Sequence, residues 1–193
     1  MSDNPATFDT ARRIMVASQL RPQGVTDPLV LAAMSTVPRQ DHVPAGARAA
    51  AYGDRPLRLG DGSPMMPPAE LGLLLTRLAP KPGERALVVG GGGSYAAALL
   101  RHIGLDVDSV EASASLVDLI LIEGAIEHLP KDLVDRLTSR GRVGTAIVEG
   151  GVTRLAIGRV ADSSNGKTVG FISFAEAQVP VLPGTSRAPA FAF

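Results

Sequence analysis

Ala86-Leu87-Val88-Val89-Gly90-Gly91-Gly92-Gly93-Ser94-Tyr95, running on through alanines and leucines to Ile103, carries the strongest architectural signal in the chain. Four apolar residues in a row, with no polar alternation, suit a strand buried on both faces of a parallel sheet. The glycines then leave the strand without side chains, so a ligand can approach the backbone there. Tyr95 to Ile103 predicts a helix, whose opening amides offer donors and a positive dipole end. Val107 to Val110 predicts a second short strand that ends at Glu111. A carboxylate about 20 residues beyond the glycine turn stands where it can accept both hydroxyls of a ribose. Strand, glycine turn, helix, strand and acid together describe a nucleoside-binding crevice. A loop that merely turns tightly beside an exposed glutamate would have the same letters.

The nucleoside is either a dinucleotide or S-adenosylmethionine. Dinucleotide sites favour G-x-G-x-x-G/A, with a minimal third residue for helix packing. Counted from Gly90 the third position is Tyr95, too bulky for that role; counted from Gly91 it is Ala96, which the pattern allows. The turn by itself leaves both open.

Upstream, the chain reads as helical. Asp27-Pro28 pairs a cap with a residue pre-set for the first turn, and Val30, Ala33, Met34 and Val37 lie on one face. A broader stripe from Ala11 to Leu20 predicts an earlier helix. Leu71, Leu74, Leu75 and Leu78 predict a third, opening near Pro67 or Pro68. Between Pro38 and Pro64, prolines and glycines break every period.

Downstream, Val117 to Ile122 and Val143 to Val148 read as buried strands, with a helix from Pro130 to about Leu137 and a turn closed by Gly141. Leu155 to Val160 and Thr168 to Phe174 flank Ser163-Ser164-Asn165-Gly166, a hairpin signal. Strands alternating with helices and ending in a hairpin predict an α/β fold of the Rossmann-like kind. It has a mostly parallel sheet with helices on both faces, an N-terminal helical extension and an antiparallel C-terminal edge. A single domain is expected, with residues 1–80 as helical and substrate-side region and 81–193 as the sheet core.

Composition narrows the function classes. Lys+Arg and Asp+Glu balance at 19 each, and no basic run exceeds a pair, so there is no global field to hold nucleic acid or an anionic membrane. Cysteine is absent, which excludes disulfides and thiolate chemistry. Apolar stretches fall far short of the roughly 20 residues that span a bilayer. The polar start, Met1-Ser2-Asp3-Asn4-Pro5, lacks the plan of a signal peptide. A cytoplasmic protein is expected. His42, His102 and His128 have no ligand spacing and read as surface or helix-end residues. Glu123-Gly124 and Glu127-His128 follow a strand's carboxyl end, where sites in open sheets gather.

Several spaced segments resemble the protein-L-isoaspartate O-methyltransferase family, in the right order and over nearly the whole chain. Arg12-Arg13-Ile14-Met15-Val16 through Gln19-Leu20-Arg21, with Gly24-Val25-Thr26-Asp27, is similar to its amino-terminal helix and turn. Val37-Pro38-Arg39, His42-Val43-Pro44 and Ala51-Tyr52-Gly53-Asp54-Arg55-Pro56-Leu57 are family-like. So are Lys81-Pro82-Gly83-Glu84-Arg85 before the glycine turn, Tyr95 after it, Asp118-Leu119-Ile120-Leu121, Leu129-Pro130 and Gly141-Arg142-Val143.

The resemblance implies S-adenosylmethionine as cofactor and methyl transfer to the side-chain carboxylate of isoaspartyl residues in damaged proteins, a repair reaction that needs no metal. It implies that Gly90, Gly91, Gly92, Gly93 and Ser94 wrap the methionine and ribose portions and that Glu111 holds the ribose. Tyr52 to Pro56, which includes Asp54, and Ser63 to Pro68 would line the substrate side.

Three departures stand out. Val88 occupies an acidic position of the family, and Ser94 replaces its last glycine before the tyrosine. The family's reactive serine or threonine precedes a proline by two residues; aligned on Pro68, that position is Met66. Only Ala112 to Leu116 separate Glu111 from the next strand, too few for a parallel crossover of a dozen or more residues. One βα unit is missing after Glu111, either deleted from the protein or lost from the sequence. In the second case a chain gap should separate Glu111 from Asp118. These departures favour an alternative reading, a relative that keeps the fold as a binding or structural module. A methyltransferase for another carboxylate is a third.

Overall fold

A computed structural model describes residues 5–60, 62–90, 93–108, 115–163 and 166–186. The helical extension consists of α1 (Pro5–Met15), continued by a wide turn at Val16–Leu20, and α2 (Pro28–Thr36). The predicted cap holds: Asp27 Oδ1 accepts the N–H groups of Leu29 at 2.8 Å and Val30 at 3.1 Å. The broken stretch folds as two short 3-10 turns, Arg39–His42 and Ala45–Ala50, and a small antiparallel hairpin of β1 (Leu57–Arg58) and β2 (Pro64–Met65). Helix α3 (Pro68–Leu78) follows. It stops at Ala79, whose φ of 50° is left-handed. There the Arg142 guanidinium donates to the carbonyls of Leu78 and Ala79 and grips Glu84 through both nitrogens.

The sheet is built from β3 (Arg85–Val89), β4 (Asp106–Asp108), β5 (Val117–Ile126), β6 (Leu137–Glu149), β7 (Val152–Ser163) and β8 (Gly166–Glu176). Helix α4 (Gly93–Ile103) lies between β3 and β4, and the short α5 (Lys131–Asp135) between β5 and β6. Strand order is β4-β3-β5-β6-β7-β8. The first four strands pair parallel and the last two join antiparallel, as the hairpin signal implied.

Alternation along β3 and β5 divides the core. Ala86, Val88, Leu119 and Leu121 face the side covered by α1 to α4. Leu87, Ile120 and Ile122 face the other side, where Leu133 of α5 and Leu182 pack. Among the described residues, that second side carries only α5, so the helices are unevenly shared. The link from β4 to β5 is short for the topology. Strands β4 and β5 flank β3 on opposite sides, yet only residues 109–116 join them. Residues 109–114, including Glu111, lie outside the described residues, and with them the place of any gap.

Two boundaries differ from the sequence reading. Leu137 opens β6 rather than closing a helix, because it pairs with Val117 of β5. Gly141 sits inside β6, where a side chain would meet Leu137 and the Thr138 carbonyl within 2.9 Å. Strand β5 continues four residues past Ile122, with an irregularity between Leu121 and Ala125. The late segment supports this extension: Ala125 donates to the Pro180 carbonyl at 2.9 Å, and Leu182 donates to the Ala125 carbonyl at 2.8 Å.

Candidate active site

The carboxyl ends of β3 and β5 meet at Gly90 and Glu123. Gly90 has a φ of +108°, and a Cβ there would lie 2.7 Å from the Glu123 carbonyl oxygen. Close approach of β5 therefore demands this glycine, whatever else binds nearby. Helix α4 then starts at Gly93 with no acidic residue in its first turn. Ser94 is exposed on that turn, its Oγ 3.2 Å from His42 Nδ1. Burial holds the His42 imidazole below its usual pKa, with the Asp41 carboxylate pulling against it. The structure thus places Gly90, Gly93 and Ser94 together. Gly91, Gly92 and Glu111 lie outside the described residues.

Beneath this turn is a buried cluster that the sequence reading largely missed. Arg39, Tyr95 and Glu123 are each 0% exposed. Arg39 Nε donates to the Ala51 carbonyl at 2.8 Å and its Nη2 to the Met66 carbonyl at 2.6 Å. The guanidinium lies 4.9 Å from the centre of the Tyr95 ring, close enough for attraction to the ring's negative face. From the other side, the Met66 N–H donates to Glu123 Oε1 at 3.2 Å. Both backbone polar groups of Met66 are thereby held by charged side chains from distant parts of the chain. Glu123 Oε2 has no hydrogen-bond partner among the described residues. Burial pushes the Glu123 carboxyl up to about 7, against the pull of Arg39 and the Met66 N–H. Burial likewise raises the Tyr95 phenol.

Met66 is the position aligned with the family's hydroxyl residue, and its side chain is buried in the core on the α1 to α4 face. Val88 packs in the same core. Tyr52 is tied into the wall around this cluster. Its hydroxyl donates to Gln40 and accepts from Arg12 Nη1 at 3.2 Å, while its carbonyl accepts from Gln19 at 2.9 Å. Asp54, a candidate for the substrate side, is engaged in holding a helix end, where its Oδ1 accepts the Ala69 N–H in the first turn of α3 at 3.2 Å.

Two cavities adjoin the carboxyl ends of the strands. One, of about 580 Å³, opens between the β1–β2 hairpin and the strap Pro180–Pro183, with Leu57, Arg58, Ser63 and Pro64 on the hairpin side. The strap is seated by a parallel bridge from Val181 to Ala125. Gly124 makes room for it, since a Cβ there would meet the Leu182 side chain at 2.4 Å. The other, of about 830 Å³, lies past the ends of β5 and β6 and is lined by Glu127, His128, Lys131, Glu149, Lys167 and Phe171 among others. There the Glu127 and His128 amides both donate to the Thr185 carbonyl. Among the described residues, no group of three or more His, Asp or Glu could hold a metal ion.

Residues 11–119 match the family described as protein-L-isoaspartate(D-aspartate) O-methyltransferase, more than half of the 193 residues. A Methylorubrum extorquens protein of that name is 33% identical over 92% of this chain and 91% of its own. The chain belongs to the protein-L-isoaspartate(D-aspartate) O-methyltransferase family. Protein-L-isoaspartate O-methyltransferase 1 of Rhodopseudomonas palustris is 41% identical over 118 residues, 61% of this chain but 48% of that protein. The chain thus spans about half of that relative's length. In fold, the chain matches a Plasmodium falciparum protein described as a putative protein-L-isoaspartate O-methyltransferase, solved with S-adenosyl-L-homocysteine. The TM-score is 0.68 at 18% identity, covering 91% of this chain and 97% of that one.

The Methylorubrum alignment is longer than the part of this chain that it takes in. It runs 211 positions while taking in 92% of 193 residues, about 178, so about 33 positions hold no residue of this chain. A βαβ unit runs to about 30 residues. The family match itself stops at residue 119, just past the short link from β4 to β5.

Proposed function

We propose that the protein binds S-adenosylmethionine at the turn after β3. It transfers the methyl group to the free carboxylate of L-isoaspartyl residues in damaged proteins, as a cytoplasmic repair enzyme. Residues 1–80 supply the substrate side and 81–193 the cofactor side. One observation carries the reading. At the carboxyl ends of β3 and β5, α4 opens just after Gly90, the Glu123 carboxyl holds the Met66 N–H, and the Pro180–Pro183 strap that walls the 580 Å³ cleft bonds to Ala125 of β5. This is where open α/β sheets place their ligands.

The residues present fit the cofactor. The amides of Gly93 and Ser94 open an eleven-residue helix with no acid in its first turn, and Glu123 Oε2 offers a buried acceptor without a protein partner beside them. Gly90 to Ser94 would hold the methionine and ribose portions, and Glu111 the ribose hydroxyls. S-adenosylmethionine supplies a methyl group on a sulfonium: a carboxylate oxygen bonds to that carbon as the carbon–sulfur bond breaks, and the electron pair leaves on sulfur. No proton moves, so the chain needs no general base. Its residues orient the carboxylate and keep water out, which supplies most of the rate in such a step. The proline and aliphatic walls of the cleft suit that role.

Met66 supports a second reading, a relative that binds without turnover. Its thioether cannot donate to a carboxylate, and its backbone groups are already held by Arg39 and Glu123. Transfer of labelled methyl from S-adenosylmethionine to an isoaspartyl peptide, beside the same peptide with normal aspartate, separates the two. Base-labile label on the isoaspartyl peptide alone supports the enzyme. Cofactor binding with no label on either peptide supports the binding module.

A further inference from the structure

We infer that Arg58 is the residue that recognises the isoaspartyl carboxylate, taking a role that a hydroxyl at position 66 does not fill here. The inference rests on the substrate assignment above and adds the group that reads it. Leu57 and Arg58 form β1 and pair with Met65 and Pro64 of β2. Alternation along the hairpin sends Leu57 and Met65 into the core and leaves Arg58 and Pro64 on the outward face. That face lines the 580 Å³ cleft opposite Pro180, Val181, Leu182 and Pro183. Arg58 is the one charged side chain among the cleft's described lining residues.

Two arginines that frame the buried cluster, Arg39 and Arg12, are already engaged. Arg39 is spent on Ala51 and Met66, and Arg12 on Ser35, Tyr52 and Asp9. Arg58 makes no hydrogen bond or ion pair among the described residues and is exposed. An unpaired guanidinium on a wall of prolines and aliphatic side chains selects an anionic group carried on an extended, weakly polar body. A peptide bearing one additional carboxylate has that form, and a planar fork matches a carboxylate with two parallel hydrogen bonds. The register partner of Arg58 is Pro64, which lines the same cleft.

The sign of its kinetic effect follows from charge. The reaction consumes the carboxylate's negative charge, so pairing with Arg58 is strongest in the ground state and fades towards the transition state. Interactions of that kind lower KM without raising kcat. Arg58 therefore acts in binding, and its loss should raise KM while leaving kcat unchanged or slightly higher.

The test uses fluorescence anisotropy of two labelled peptides with the protein saturated in S-adenosylhomocysteine. One peptide carries isoaspartate and the other isoasparagine, which differs only in its uncharged amide. The parent protein should bind the acid about tenfold more tightly than the amide, a charge-assisted pair. Arg58→Met should bring the two within about twofold by weakening the acid alone, Arg58→Lys should keep part of the gap, and KM should follow with kcat held. If Arg58→Met retains the full gap, the inference fails while the substrate assignment stands. If the parent protein itself does not separate acid from amide, the assignment fails and the inference with it.

Discussion

The Met66 carbonyl accepts a hydrogen bond of 2.6 Å from Arg39, a fully buried cation that also faces the Tyr95 ring on α4. With Glu123 on the Met66 N–H, this fixes the peptide around residue 66 between the helical extension, α4 and β5. The Met66 side chain is left pointing into the core.

Restoring a hydroxyl there should consequently fail. Met66→Ser removes a buried side chain, at a cost of about 2–5 kcal/mol by analogy with large-to-small core changes, and buries a hydroxyl among apolar groups. Urea denaturation should show the loss, and kcat for isoaspartyl methylation should not rise. A tenfold gain in kcat would mean that position 66 reaches the cleft after all.

Glu123 should impose a pH dependence on stability. Burial raises its carboxyl from 4.5 to about 7, with Arg39 and the Met66 N–H opposing the rise. Tyr95 and Arg39 are the ionisable groups facing it. The folded protein thus holds a proton that the unfolded chain has released between those two values. This contribution to stability is full below pH 4.5 and lost as pH rises through 7, about 3 kcal/mol in all. Glu123→Gln keeps an acceptor for Met66 and cannot ionise. Its stability relative to the parent should grow from pH 5 to pH 8 in parallel urea titrations, and a constant difference would contradict the assignment.

Gly90→Ala should be severe for a reason separate from any ligand. The added carbon meets the Glu123 carbonyl at 2.7 Å in a left-handed conformation, and neither backbone can yield without moving β5. A loss of about 1–3 kcal/mol is expected from the conformation alone, more with the contact, read as a lowered denaturation midpoint. A variant as stable as the parent would show that β3 and β5 do not close on each other there.

Much of this architecture was legible in the sequence because its signals are local. The apolar run at Ala86 to Val89, the cap at Asp27 and the leucine stripe of α3 each follow from residues within a few positions of one another. What escaped depends on distant partners. Leu137 has a helical spacing with Leu133 and Val134, yet pairing with Val117 draws it into β6. Glu123 to Ile126 carry no strand pattern, and they continue β5 because Pro180 to Leu182 bond to Ala125. Arg39 stands in a proline-broken stretch, and nothing near it announces that the Ala51 and Met66 carbonyls and an aromatic ring will surround its charge. The short link after Glu111 was readable as a simple count.

The claim on which the rest depends is that the turn between β3 and α4 holds an adenosyl nucleoside. Calorimetric titration of the intact protein with S-adenosylmethionine and S-adenosylhomocysteine tests it most directly. Saturable binding of both at one site per chain, weakened by Ser94→Trp at the start of α4, is the expected result. No heat of binding at millimolar ligand would contradict the account and leave a methyltransferase fold without its cofactor.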